Sequence, residues 1–180
     1  MSKTTSLKGH EGVTVRVINA QHEVPVNVAR MARVARLASR QLPVRTRGRL
    51  EITFIDAPSM RRLNKQFLRH DRDTDVLSFR YDGEPTVGEI LIAPSQARQY
   101  AARHGLSYPE ELARYVIHGL LHWLGHDDAT PQQQRKMRVM EERLLAQCFN
   151  NRAESTRLAS RDISFSLSPR KGEKETSRTD

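Results

Sequence analysis

The chain has 180 residues, 37% of them apolar and only 6% aromatic, with one cysteine and a formal net charge of +9. That length fits a single domain with a core of its own, and the lean apolar content places unfolded chain at the ends. One thiol excludes an internal disulfide and fits a reducing cytoplasm, no apolar run is long enough to span a membrane, and a pI near 10.3 favours polyanionic partners.

Residues 1–12, MSKTTSLKGHEG, lack the apolar stretch of a secretory leader, so a flexible N-terminus and a cytoplasmic location are expected. Val13 to Ile18 alternates apolar and polar residues and predicts a first strand. A helix is predicted from about Pro25 to Gln41, with Val28, Met31, Ala32, Ala35 and Ala38 on one face. Arg30, Arg33, Arg36 and Arg40 stripe another face, which is expected to be solvated. Leu50 to Ile55 alternates again and predicts a second strand. Ser59 is placed to cap a short helix that turns Met60, Leu63 and Phe67 inward and Arg61 and Arg62 outward. A charged loop, His70 to Thr74, leads to a short strand at Val76 to Phe79. Tyr81 to Thr86 is a turn by its Asp-Gly pair and proline, and Gly88 to Ala93 is the fourth strand.

A helix from Ser95 is stopped by Gly105 after His104. Ser107 and Glu110 form a capping-box pattern for the next helix, about Tyr108 to Leu124, which buries Leu112, Tyr115, Val116 and Leu120. Thr130, Pro131 and Gln133 repeat the pattern ahead of a last helix that runs to about Cys148 on Met137, Met140, Leu144 and Leu145. Residues 149–180 are polar and aperiodic and are expected to be a disordered tail, which leaves 13–148 as the working domain. Phe79, Tyr81 and Trp123 are the aromatics near the motifs, and all three are expected in the core.

The chemistry is densest in Ile117 to Asp128, IHGLLHWLGHDD. His118 and His122 are one helical turn apart, so both imidazoles leave the same face and can reach one ion. Gly125 stands where a helix ends on a left-handed residue and the chain turns back. Asp128 lies three residues beyond and completes two imidazoles and a carboxylate around one zinc ion, with a position open to water. The same donors suit iron, nickel or manganese. His126 is the other candidate for the third place, although the register behind the glycine favours Asp128. Asp127 is expected to orient a ligand histidine, and His126 to lie beside the ligands or in solvent. Position 119, where a zinc peptidase of the HExxH type carries its glutamate base, is glycine. That argues against a peptidase, the first alternative.

The segment resembles the signature of the YbeY family of ribosomal-RNA maturation endoribonucleases, roughly HGxLHLxGYDH. His118, Gly119, Leu121, His122, Gly125 and Asp127 occupy its positions. Leu63 to Phe79, LNKQFLRHDRDTDVLSF, resembles the family segment ending in TDVLSF, and Val87 to Ala97, VGEILIAPSQA, resembles the strand that follows it. The likeness covers most of residues 13–148. Two departures stand out. Asp128 replaces the usual third histidine and His126 the usual tyrosine, while Leu68 occupies a position that is basic in the family.

The resemblance implies an α+β domain, a small mixed four-stranded sheet packed with helices, with the metal site on a central helix and the turn after it. It also implies a zinc-dependent endoribonuclease acting on single-stranded RNA. Ribosomal RNA, the 3′ end of the small-subunit RNA in particular, and the small ribosomal subunit are the implied partners, with a role in ribosome quality control; neither DNA nor membrane is expected. His118, His122 and Arg69 are then catalytic, the two histidines also ligating. Arg69 and Arg72 are the two candidates for the family's phosphate-holding role, with Arg61 and Arg62 beside them on RNA. Either water or the RNA's own 2′-hydroxyl is a possible nucleophile. The competing class is a non-catalytic ribosome-assembly factor with a structural metal, which would need a fourth protein ligand.

Overall fold

In the computed structural model the described residues are 13–42, 47–68, 74–83 and 85–165, with side chains described as far as residue 149, Leu68 excepted. The expected flexible start at 1–12 and the loop carrying Arg69, His70 and Arg72 lie outside them. The elements are β1 (Val13–Asn19), α1 (Val28–Gln41), β2 (Gly48–Phe54), α2 (Ala57–Leu68), β3 (Val76–Arg80), β4 (Thr86–Ile92), α3 (Pro94–His104), α4 (Tyr108–Trp123) and α5 (Pro131–Phe165). The four strands form one sheet in the order β1-β2-β4-β3. β1 pairs parallel with β2, and β2 with β4, while β3 runs antiparallel to β4 at the edge. This is the α+β architecture with a mixed sheet that the sequence predicts.

Alternation along the strands decides which helix covers which face. Leu77 and Leu91 are register partners, and they pack with Met60 of α2, with Leu63 and Phe79 at the margin. The next pair, Ser78 and Ile90, faces the other way, toward α4. Strand β4 is therefore sandwiched: Val87, Ile90, Leu91 and Ile92 are all buried. In α4, Leu112, Val116, Ile117, Leu120 and Leu121 are at most 2% exposed. Each such side chain contributes about 1.5–3 kcal/mol on burial, so together they far outweigh the roughly 1 kcal/mol that a mid-helix Gly119 costs relative to alanine. Packing, rather than helix propensity, fixes where α4 lies.

Five local expectations are corrected. Tyr81, expected in the core, is 42% exposed, its hydroxyl donating to Glu89 Oε2 at 3.2 Å. Helix α1 begins at Val28, because the Asn27 side chain accepts from the Arg30 amide at 2.9 Å and caps the helix there. At α2 the cap is Asp56, whose Oδ1 accepts from the Ser59 amide at 2.7 Å, while the Ser59 hydroxyl accepts from Arg62. Phe67 is 54% exposed instead of inward, in edge contact with Phe79 at 5.2 Å between centroids. Ser107 makes no side-chain cap; its carbonyl takes the amides of Glu110 and Glu111 instead. The Thr130 box is present in both directions, the Thr130 amide donating to Gln133 and the Gln133 amide to Thr130 Oγ1.

The chain divides into two units between Cys148 and Phe149. The backbone stays helical to Phe165, into the segment expected to be a disordered tail. From Phe149 the first proline is Pro169, and no glycine precedes it, so nothing in the backbone chemistry halts the helix. Residues 166–180 lie outside the described residues. Among the described residues no helix is long and apolar enough to cross a membrane.

Candidate metal centre

Helix α4 can lie this close to the sheet because residue 119 is glycine. A Cβ there would stand 2.5 Å from Ile90 Cγ2 and 3.1 Å from Val76 Cγ1. The Ser78 hydroxyl donates to the Gly119 carbonyl at 3.2 Å, tying β3 to the middle of the helix. Lower down, the buried Trp123 indole donates to the Val87 carbonyl at 3.1 Å. Gly88 is the residue that makes room for it, since a Cβ there would overlap the Trp123 ring. These contacts set the rotation of α4 and hence the direction in which His118 and His122 point.

The helix then closes on Gly125, at φ 91°. The Gly125 amide donates to the His122 carbonyl at 2.9 Å and the His126 amide to the Leu121 carbonyl at 3.0 Å, the bond pair of a Schellman stop. The reversal carries Asp128 back to the histidines. Its Oδ2 lies 4.0 Å from His118 Nε2 and its Oδ1 3.8 Å from His122 Nε2, and the two Nε2 atoms are 2.9 Å apart. His118, His122 and Asp128 form a group able to hold a metal ion, with ligand atoms all within 4.8 Å of one another. His126 is not part of it.

The chemistry of the donors fits an ion. His118 Nδ1 lies 2.7 Å from Glu141 Oε1, a buried carboxylate on α5. That hydrogen bond assigns the ring proton to Nδ1 and leaves Nε2 as the donor atom facing His122 and Asp128. The Arg114 guanidinium bridges to Glu141 at 3.6 Å and to Glu111 at 3.4 Å. Two nearly buried carboxylates next to an arginine gain little net stability, because desolvation offsets the Coulomb attraction. What the cluster does is hold Glu141 in one orientation under His118. Asp127, expected to orient a ligand histidine, has its Oδ1 accepting from the Asp128 amide at 2.8 Å, which shapes the turn that carries Asp128.

The titration of the pair follows from its surroundings. Burial alone would push the His118 pKa down, but the hydrogen bond and charge of Glu141, with Asp75 and Asp128 behind it, raise it above the ordinary value. His122 is lowered by burial and by the positive charge of His118. The two rings are thus shifted in opposite directions, His118 upward and His122 downward. Burial raises the carboxyl of Glu111, and burial, followed by the charges of Asp75 and Glu111, keeps the Tyr115 hydroxyl protonated far above neutrality.

A cleft of about 330 Å³ opens beside the group, lined by Asp75, Tyr100, Arg114, His118, Asp128, Arg138 and Glu141 among others. Its cations are Arg114 and Arg138, neither of which the sequence singles out. Arg61 and Arg62 are exposed on α2 and do not line it. The proposed phosphate holders Arg69 and Arg72 lie outside the described residues. Glu141 and Arg114 left one signal in the sequence: acidic and basic residues on the apolar faces of α5 and α4, where an uncompensated charge would be costly.

Two imidazoles from one helix and a carboxylate from the turn behind it, set on an α+β domain, define the class: a small domain built around a candidate metal site. The chain matches the Endoribonuclease YbeY family over residues 16–148 and belongs to that family. Among proteins named Endoribonuclease YbeY, that of Beutenbergia cavernae is 33% identical over 139 residues, 71% of this chain and 93% of the relative. That of Salinibacter ruber is 40% identical over 106 residues, 53% of this chain and 68% of the relative. That of Myxococcus xanthus is 36% identical over 105 residues, 54% of this chain, and the match spans only 36% of the relative's length. The solution structure of TM1509 from Thermotoga maritima shares the fold, with a TM-score of 0.56 and 20% identity over 79% of this chain and 93% of that one.

Proposed function

We propose that this protein is a metal-dependent endoribonuclease that cuts single-stranded RNA, acting in ribosomal-RNA maturation at the 3′ end of the small-subunit RNA and in ribosome quality control in the cytoplasm. The observation that carries this reading is the convergence of His118, His122 and Asp128 within 4.8 Å in a chain of the Endoribonuclease YbeY family. The net charge of +9 supports a polyanionic substrate. The domain, on this reading, is residues 13–148.

His118, His122 and Asp128 would hold one zinc ion per chain, which supplies a Lewis acid that polarises a phosphoryl oxygen and acidifies water. The chain's own residues do the rest. Glu141 keeps the His118 ring in one tautomer, and Arg114 keeps Glu141 in place. Arg138 adds positive charge at the cleft, and Arg69, Arg72, Arg61 and Arg62 are proposed to hold RNA phosphates along the approach, where guanidinium groups bind nonbridging oxygens bidentately. Peptide hydrolysis is disfavoured on packing grounds as well as by sequence, because Ile90 leaves no room at position 119 for the glutamate base.

The test is cleavage of a labelled single-stranded RNA by the full chain beside His118→Ala and His122→Ala variants purified identically and checked for folding. Loss of cutting in both is the expected result. Equal cutting in all three would place the activity elsewhere. RNA retained but uncut by the wild type would point to a ribosome-assembly factor.

A further inference from the structure

The wall of the His118 cleft continues into a second hollow of about 390 Å³, and the two share Asp75, Tyr100 and Tyr115. The rest of the hollow is built largely by one stripe of α3. Gln96, Gln99, Tyr100 and Arg103 fall at positions i, i+3, i+4 and i+7, so they line a single helix face. The opposite stripe of the same helix, Pro94, Ala97 and Ala101, is buried in the core. Tyr100 is thus not a core aromatic; it is 44% exposed. Its ring stacks on His104, centroids 4.0 Å apart and planes 24° from parallel. His104 is in turn held by a hydrogen bond of 2.9 Å between Nδ1 and the Tyr100 carbonyl. A large, rigid, exposed ring backed by a second ring, at the edge of a candidate phosphodiester-cleaving cleft, is a stacking platform looking for a flat partner.

The remaining wall groups suit the edge of that partner. Each glutamine amide offers both donor and acceptor atoms, the complement of a heterocycle that carries both. Arg103, 3.5 Å from Gln99 Oε1, adds a cation for an adjoining phosphate. We propose that this hollow is a nucleobase subsite: the base next to the nucleotide in the His118 cleft stacks on Tyr100, and Gln96 and Gln99 read its edge. Only an unpaired base can present its face and its edge together, so the subsite selects single strands and prefers certain bases at one position relative to the cut. The inference rests on the endoribonuclease reading for the identity of its ligand, while the binding arm of its test reads the subsite whether or not the RNA is cut.

The test uses the full chain as wild type, Tyr100→Ala, Tyr100→Phe and the double variant Gln96→Ala/Gln99→Ala, each with its melting temperature checked. Binding to a labelled single-stranded oligoribonucleotide is measured by fluorescence anisotropy, and cut sites in a randomised RNA are mapped by sequencing. Tyr100→Ala is expected to weaken binding on the order of tenfold, the scale of one lost base–aromatic stack, and to flatten the base preference at one position. Tyr100→Phe should restore both, and the glutamine variant should change the preference while keeping most of the binding. Should the wild type bind and cut RNA while Tyr100→Ala matches it in both assays, the subsite is wrong and the nuclease reading stands. Tyr100-dependent binding without any cutting would keep the subsite and remove the nuclease reading. Neither binding nor cutting by the wild type would remove both.

Discussion

The two histidines and the aspartate reach one point from differently built ground. His118 and His122 stand on α4, a helix buried along most of its length and locked to the sheet by the fit of Gly119 on Ile90 and by the Trp123 hydrogen bond. Asp128 stands on a turn with its side chain 43% exposed, and the elements that place it are a left-handed glycine and the Asp127 hydrogen bond. The helix supplies direction and the turn supplies reach. A rigid pair presets most of the ordering cost of a ligand set, so the third ligand can sit on less rigid ground without losing the site.

The largest expected effect removes the rigid half. His118→Ala or His122→Ala should lower zinc affinity, read by competition with a chromophoric chelator, by more than about 100-fold, beyond the range seen when only an outer hydrogen-bond partner is lost. Glu141→Gln tests such an outer partner: affinity should fall about 10- to 100-fold with the fold intact by circular dichroism. The same variant carries a pH signature. Because Glu141 holds the His118 pKa above its ordinary 6.5, protons compete with the ion up to that raised value, and zinc affinity falls as pH drops through it. In Glu141→Gln the midpoint of that fall should move to lower pH, whereas an unmoved midpoint would mean that the contact does not govern His118. In the metal-free protein the sign for stability is the reverse. The raised folded pKa means that the contribution of His118 is complete below about 6.5 and is lost as pH rises through the raised value.

Smaller effects separate the helix seat from the turn. Gly119→Ala drives a Cβ onto Ile90 and should cost about 1–3 kcal/mol in urea unfolding, since a packed core resists even one added carbon. Gly125→Ala meets no atom within 4 Å, so only the strain of φ 91° remains, about 1–2 kcal/mol. If Gly125→Ala proved the more damaging to stability, the ranking of helix over turn would be overturned.

What the sequence makes legible is what local chemistry writes into it. The i, i+4 histidines, the glycine stop and the capping pair at Thr130 and Gln133 are short-range features, and all appear in the fold. Strand alternation, likewise, gives β1 and β2. Features that depend on chain segments meeting across the fold are not legible. Glu141 lies 23 residues from His118, and nothing in its neighbourhood marks it as the partner. Phe67 reads as an inward residue by helical spacing yet is exposed, because spacing names a face without saying how wide the covering layer is. Tyr100 escapes for the same reason: its stripe gains meaning only when α3 is set beside the His118 cleft.

The account turns on whether the three ligands on and behind α4 drive RNA cleavage through a bound ion. The most direct measurement is the rate of cleavage of single-stranded RNA by the full chain, stripped with a chelator and then titrated with zinc, with bound metal determined on the same samples. The rate should rise with bound zinc and level off at one ion per chain, and His122→Ala should recover nothing. Full-rate cutting by the stripped protein, or equal recovery in His122→Ala, would contradict it.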